Sequence, residues 1–457
     1  MTTLLWHRRD LRLHDNSALY QASAEGKPLL PLFILDPGIL RAEDIAPVRV
    51  DFLLASLQRL REDYRALAGD LWIRQGEPLT VIRALVQQAD IQEIHWNDDV
   101  EPYSRQRDET VKNALQELGV RVIIHQDQML HGPGSVLTQS NQPYTVYTPF
   151  WRNWSSQKKL KPFPTPKVIQ PPNLSLEIGT IPTLKQLGLS HQISLPAIGE
   201  KAALEQLDKF CAKAIFDYDE HRNFPADVGT SQLSPYLKFG VLGIRKAWEC
   251  TEHALLHRQA VGITTWQQEL CWREFYKHIL FHVPNVAYEN YLTRYNSFVW
   301  DENKEYFERW CAGETGYPMV DAAMRQLNET GWMHNRSRMI VASFLTKDLL
   351  IPWSWGERYF MQKLLDGDQS ANNGGWQWSA SMGTDPKPLR IFNPVTQANR
   401  FDPQTAYVRR WVPELEQAKT VEILSNKNLE VYGYPKPMVD HAIQQRIYKE
   451  RYKAAKS

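Results

Sequence analysis

VRVDFLLASLQRLREDYRALAGDLWIRQ, residues 48–75, decides how the first part of this chain folds. Residues 48–67 repeat apolar side chains at helical spacing, whereas LWIRQ (71–75) is a short apolar run that reads as a strand. The alternation continues outward in both directions. TLLWH (3–7), PLLPLFIL (28–35), IQEIHW (91–96) and VRVIIHQ (120–126) read as strands, and SRQRDETVKNALQELG (104–119) reads as a helix. Strands alternating with helices imply a doubly wound parallel sheet, helices on both faces, in an N-terminal α/β domain. Such sheets bind ligands beyond the carboxyl ends of their strands, which points to the loops after residues 7, 35 and 96.

Those loops offer Arg8, Arg9, Asp36, Arg49, Asp99 and Glu101. The simplest reading of each is a solvated loop charge. Asp99 and Glu101, flanking Val100 just after a strand, are the pair placed to project to one side. No GxGxxG or GK[ST] phosphate loop occurs there, which weakens a dinucleotide or nucleotide reading of this domain.

Residues 131–200 change character. KPFPTPKVIQPPNLSLEIGTIPTLKQL is too rich in proline for a helix or a central strand, so the domain of residues 1–130 is followed by a long connector. Residues 201–457 then read as helical, with apolar residues at helical spacing over 266–281, 303–311, 319–330, 336–350 and 356–365. The fold class expected is α/β followed by all-α. Within the helical part, the hydroxyls of GTSQLSPYLKFG (229–240) stand before a helix, where capping by Thr230, Ser231 or Ser234 is the simplest use for them.

Sixteen tryptophans are present, and ten of them lie between residues 266 and 411, around the stretch DGDQSANNGGWQWSA (366–380). That stretch combines carboxylates, carboxamides, a glycine pair and two indoles, which suits the wall of a cofactor pocket. The bland alternative is an NNGG turn leading into a buried aromatic helix. Four scattered cysteines form no CxxC pair, so neither a zinc site nor a redox dithiol is indicated. A net charge of +1 means that a nucleic-acid partner would have to meet a local patch, such as HNRSR (334–338), PKPLR (386–390) or YVRRW (407–411). No apolar run approaches the roughly 20 residues of a membrane span, so a cytoplasmic location is expected.

Several long motifs then make the chain recognisable. WHRRDLRLHDN, YDEHRNFPADVGTSQLSPYLKFG (218–240), WQQELCWREFYKHIL (266–280), TGYPMVDAAMRQLNETGWMHNRSRMIVASFLTKDLL (315–350) and DGDQSANNGGWQWSASMGTDPKPLRIFNP (366–394) resemble the photolyase/cryptochrome family. Within it they resemble class I cyclobutane pyrimidine dimer photolyases of the deazaflavin-antenna type. The resemblance implies a C-terminal helical domain that binds FAD and DNA. It also implies light-driven repair of UV-damaged DNA, by electron transfer from excited reduced FAD to a flipped-out dimer.

The same resemblance assigns roles to residues. Tyr218, Thr230, Ser231, Gln232, Leu233, Ser234, Arg338, Asp366, Gly367 and Asp368 match positions around FAD, and Asn372 matches the position facing flavin N5. Glu269 matches the carboxylate that hydrogen-bonds the lesion. Trp272 and Trp378 match its stacking walls, and Asn335 and Met339 match further pocket positions. Arg222, Arg273 and Arg336 match phosphate contacts, while Trp376, Trp353 and Trp300 match an electron relay running from flavin to surface. Arg49, Asp99, Glu101 and Lys238 match polar contacts to an 8-hydroxy-5-deazaflavin antenna, with methenyltetrahydrofolate the alternative. No catalytic metal is implied, and family members are usually monomers. The competing reading is a cryptochrome-type blue-light photoreceptor. Asn at 372 and tryptophan at both 272 and 378 favour repair.

Overall fold

The fold is described from a computed structural model, for residues 2–385 and 389–456. Residues 386–388 of the PKPLR patch lie outside the described residues.

All five expected strands form: β1 (Thr2–His7), β2 (Leu29–Leu35), β3 (Trp72–Gln75), β4 (Ile91–Asn97) and β5 (Arg121–His125). They make one parallel sheet in the order β3-β2-β1-β4-β5. Every residue of β1 and β2 is buried, as a parallel strand covered on both faces requires. Helices α1 (Pro47–Ala66), α2 (Pro78–Ala89) and α3 (Pro102–Glu117) each begin with proline, whose missing N–H is not needed in a first turn. Glu77 caps α2 by accepting from Leu79 N at 3.0 Å and Thr80 N at 2.7 Å. Leu4, Trp6, Leu30, Leu32, Ile34 and Trp96 head the core. Because the chain order reverses at β1, the switch point lies between the carboxyl ends of β1 and β4.

The chain forms two compact units. The first comprises residues 1–144, 150–216 and 231–282, so it takes in the sheet and also helices α4 (Ile244–His257) and α5 (Val261–His282). These units divide the chain elsewhere than at residues 130 and 200, because buried polar ties over long sequence separations hold α4 and α5 to the sheet. Arg245 on α4 donates to Asp15 Oδ1 at 2.5 Å and to Asp127 Oδ1 at 2.6 Å, and Arg12 donates to Asp127 Oδ2 at 2.6 Å. Glu274 on α5, fully buried, accepts from Leu130 N, His131 N and Trp154 Nε1.

The second unit comprises residues 145–149, 217–230 and 283–457. Its helices include α6 (Asn335–Ser343), α7 (Trp353–Lys363), α8 (Gln369–Ser379) and α9 (His441–Ala454), packed around Trp310, Trp353 and Trp376. The helix expected over 336–350 changes after Ser343 into a π-helical turn, Phe344–Asp348. NNGG is not a turn. It lies inside α8, and neither Gly374 nor Gly375 takes a positive φ. Asp368 caps α8 by accepting from Ala371 N at 3.1 Å, and Asn373 and Gln377 each donate to Val286 O at 2.9 Å. Those anchors outweigh the low helix propensity of two glycines.

Candidate active site

In the second unit, α6 and the start of α8 bring together the residues expected around a cofactor. Arg338 Nη2 donates to both oxygens of the buried Asp366, at 2.8 and 3.0 Å, and Arg338 Nε donates to Met333 O. Gly367 and the buried cap Asp368 follow directly. One turn into α8, Asn372 Nδ2 donates to Glu357 O at 3.0 Å, which orients the carboxamide and leaves its Oδ1 to accept. Ser370 Oγ and His334 Nε2 are buried without a hydrogen-bond partner. A side chain at Gly375 would meet no protein atom within 4 Å. Unsatisfied buried polar atoms, a fixed carboxamide and open space beside a helical glycine suit a polar, planar ligand such as FAD. Tyr218 is buried, with the Arg222 guanidinium 5.4 Å from its ring centre.

The same unit carries an arginine cluster. Arg336 donates to Asn223 Oδ1 at 2.5 Å and lies 4.4 Å over the Phe401 ring, and its Nε is buried without a partner. Burial, then the positive charges of Arg222 and Arg400, push the Arg336 guanidinium down to about 10. A guanidinium destabilised in this way gains from an arriving anion. Asn335 is exposed at the start of α6 and Met339 is half-buried. Sequence reasoning missed His334. Its Nδ1 caps α6 by accepting from Arg336 N at 3.1 Å, and burial with the charges of Arg336 and Arg338 pushes it down to about 4.

Trp376 and Trp378 are two residues apart on α8, so their side chains point about 200° apart around the helix. Trp376 is buried against Phe360 and Trp310, with ring centres at 5.0 and 6.0 Å. Trp378 is half-buried, backed by Phe392 at 6.4 Å and by the Arg390 guanidinium at 5.7 Å. Trp353 is buried, its Nε1 donating to Asn290 Oδ1 at 2.8 Å, and Trp300 packs against Phe298 with ring centres 4.3 Å apart and planes tilted by 50°. The three relay candidates share one aromatic core, yet among the described residues Trp376 makes its ring contacts with Phe360 and Trp310 and not with Trp353.

In the first unit, α5 carries Glu269, Trp272 and Arg273, all half-buried. Trp272 touches Phe275 and Tyr276 at 5.6 Å each. Arg273 Nη1 donates to Gln128 O at 2.7 Å and Nη2 to Leu237 O at 3.3 Å, which ties α5 to those two carbonyls. Ser231 O accepts from Gln206 Nε2, and Gln232 holds a left-handed φ of 52°. The expected hydroxyl cap is absent: Leu233 stands at the cap of the short helix Ser234–Lys238, and no side chain caps it.

The loop charges at the sheet's carboxyl edge are not solvated, contrary to the simplest sequence reading. Arg9 pairs with Asp99 at 3.4 Å and also with Glu101, and Lys238 Nζ pairs with Glu101 at 3.3 Å. Asp99 Oδ1 accepts from Val100 N and Glu101 N. Burial alone would raise the Asp99 carboxyl, but the charges of Arg9, Lys277 and Arg8 outweigh it and hold the group well below the usual carboxylate range. Asp36 is buried, accepting from Tyr103 Oη at 2.8 Å and pairing with Arg107 at 3.5 Å. Arg8 pairs with Asp108 at 2.5 Å, and Arg49 donates to Asp44 O at 2.9 Å. Strand ends that meet in space collect these charges from far apart in the chain.

The chain thus combines a parallel-sheet unit with a tryptophan-rich helical unit that carries an Arg–Asp pair and a carboxamide with an acceptor to spare. Residues 3–167 match the family model for DNA photolyase, and residues 266–454 match that for the FAD binding domain of DNA photolyase. A deoxyribodipyrimidine photo-lyase of Synechococcus is 48% identical, over 99% of this chain and 97% of the relative. A bacterial class III photolyase from Agrobacterium tumefaciens superposes with a TM-score of 0.91 at 35% identity, covering 100% of this chain and 98% of that one. A Synechocystis cryptochrome gives a TM-score of 0.91 at 28% identity, with 98% of each chain covered. The chain belongs to the DNA photolyase family, within the photolyase/cryptochrome fold. Among its described residues, no helix is long and apolar enough to cross a membrane.

Proposed function

We propose that this protein is a deoxyribodipyrimidine photo-lyase: it splits cyclobutane pyrimidine dimers in UV-damaged DNA, using light absorbed by reduced FAD. The observation that carries the reading is 48% identity to a protein of that name over nearly the whole of both chains, and the fixed Arg338–Asp366 pair and the oriented Asn372 carboxamide support it. FAD, when bound, supplies the light-driven electron that opens the dimer.

The chain's own residues bind, orient and hold charge. Tyr218, Thr230 and the segment Ser231, Gln232, Leu233 and Ser234 line the dinucleotide, Asp366, Gly367 and Asp368 hold its flavin end, and Arg338 fixes Asp366 in place. Asn372 Oδ1 accepts a hydrogen bond at the flavin edge, since its Nδ2 is already committed to Glu357 O. Enzymes of this kind extrude their target bases, because a lesion within duplex DNA cannot reach a buried cofactor. Trp272 and Trp378 supply stacking faces worth about 1–3 kcal/mol per base. In the second unit Asn335 and Met339 are further contacts to the lesion, and in the first unit Glu269 donates or accepts at the dimer's polar edge. Arg336 and Arg222 meet the backbone phosphates, which positions the DNA without reading its sequence. In functional terms, residues 1–130 form the antenna domain, 131–200 the connector and 201–457 the catalytic domain.

The class I, deazaflavin-type assignment is likewise a proposal. Asp99, Glu101 and Lys238 serve the antenna at the sheet edge where the strand order reverses, and Arg49, on α1, is a further polar contact to it. The protein is expected to act as a cytoplasmic monomer.

The test is direct. Purified protein with reduced FAD should remove cyclobutane dimers from UV-irradiated DNA under near-UV or blue light and not in the dark. Persistence of dimers in the light, with reduced FAD retained, would transfer the protein to the photoreceptor class. The relay of Trp376, Trp353 and Trp300 carries its own prediction. Trp300→Phe should slow photoreduction of oxidised flavin about tenfold or more while leaving repair by pre-reduced enzyme within about twofold, a difference of roughly 1.4 kcal/mol or more in one barrier only. Equal loss of both would remove Trp300 from the relay.

A further inference from the structure

Gly356 lies inside α7, with a helical φ that any residue can adopt. Glycine is disfavoured in a helix interior, so its presence there calls for a packing reason. The reason is Trp376. A Cβ built on Gly356 would fall 2.1 Å from Trp376 Cη2, 2.5 Å from Trp376 Cζ3 and 2.6 Å from Leu345 Cδ2. Both indole atoms belong to the outer edge of the six-membered ring, so that edge occupies the space a side chain at 356 would fill.

The indole has little room to retreat. Phe360 meets it at 79° with ring centres 5.0 Å apart, Trp310 meets it at 70° and 6.0 Å, and the three rings are 2%, 2% and 0% exposed. Interiors at this density transmit a displacement into their neighbours instead of absorbing it. Gly356→Ala therefore has to move the indole, move Leu345 and the helix carrying it, or separate α7 from α8.

We infer that Gly356 is a positioning residue for Trp376: the missing side chain is a slot that admits the outer ring of the indole and sets its orientation on α8. The inference deepens the proposed relay and rests on Trp376 being its donor nearest the flavin. It also accounts for a tryptophan at 376, since a phenylalanine ring does not reach as far as Cζ3 and Cη2 and would leave the slot empty.

The experiment is a double-mutant cycle on the full chain with Gly356→Ala and Trp376→Phe, read in two ways. The first needs no flavin: thermal midpoint and near-ultraviolet circular dichroism of the apoprotein. With Trp376 present, Gly356→Ala should lower the midpoint by roughly 2–12 °C and change the tryptophan dichroism. In the Trp376→Phe background, the same substitution should leave the midpoint unchanged or raise it, because alanine favours helix. If Gly356→Ala alone fails to fold, recovery of folding in the double variant supports the slot, and failure to recover overturns it. A midpoint unchanged or raised with Trp376 in place also overturns it.

The second readout uses FAD-loaded protein. Gly356→Ala should slow flavin photoreduction about tenfold or more while repair by pre-reduced enzyme stays within about twofold. Photoreduction at the wild-type rate in Gly356→Ala would show that the slot does not govern the indole's redox role. If Trp376→Phe photoreduces at the wild-type rate while the cycle shows the expected coupling, the slot stands and the relay reading falls.

Discussion

Asp127→Ala is expected to destabilise the sheet-containing unit by about 3–5 kcal/mol, measured by urea unfolding. Asp127 is buried at 1% exposure and accepts from Arg12 Nη2 and Arg245 Nη2, both at 2.6 Å, and from Ser17 N and Ser17 Oγ, both at 3.0 Å. Arg12 and Arg245 are themselves buried, at 2% and 3%. Removing the carboxylate leaves Asp15, paired with Arg245, and the more distant charge of Asp10 to compensate two guanidiniums out of contact with water, and loss of one partner from a buried pair costs more than the pair contributes. Since domains are stable by only about 5–15 kcal/mol, such a loss should leave the variant near its unfolding threshold. A measured loss under about 1 kcal/mol would mean that water reaches the network.

Acid should act on the same residue. Burial alone would raise the Asp127 carboxyl, but Arg12 and Arg245 with the Ser17 N–H outweigh it and hold the group well below the usual carboxylate range. A folded pKa depressed below an unfolded value of about 3.9 contributes stability that is fully present above that value. The contribution disappears as pH falls through the folded value. Wild type should therefore lose stability below about pH 4 more steeply than Asp127→Ala, which has already lost this contribution.

Glu269→Ala is the second large effect, and it should fall on repair while sparing the cofactor. A hydrogen bond to a charged group contributes about 1.5–3 kcal/mol, so its loss as charge arrives on the dimer should lower light-driven splitting by roughly ten- to a hundredfold. The absorbance of bound FAD should be retained. Loss of FAD with the substitution would place Glu269 at the cofactor, and unchanged repair would remove it from the lesion site. Glu274, five residues along the same helix, is the contrast. Its carboxylate holds Leu130 N, His131 N and Trp154 Nε1, and burial, only partly offset by those bonds, raises its pKa. Nothing local in ELCWREF separates the lesion-binding candidate from the structural tie.

That pair shows where sequence reasoning runs out. All five strands and the helices beginning near residues 48 and 104 were legible because hydrophobic periodicity is a local property, set by which face of each element must leave water. The bland alternative for NNGG, a turn, does not hold, since the anchor that keeps it helical, Val286 O accepting from Asn373 and Gln377, comes from about ninety residues away. Arg8, Arg9, Asp36 and Asp99 looked like solvated charges for the same reason. Their partners stand on other strand ends or beyond the sheet, such as Lys238 on Glu101.

For this protein, the sequence alone determined the family, the order of its elements and which residue types could bind a flavin and a damaged base. Those follow from local pattern and from motifs read in order along the chain. Tertiary structure alone decided which carboxylate is buried and spent, which arginine is tied to carbonyls, and why residue 356 is glycine. Each of those depends on what a side chain meets across the fold, where burial and packing give the same residue type opposite roles.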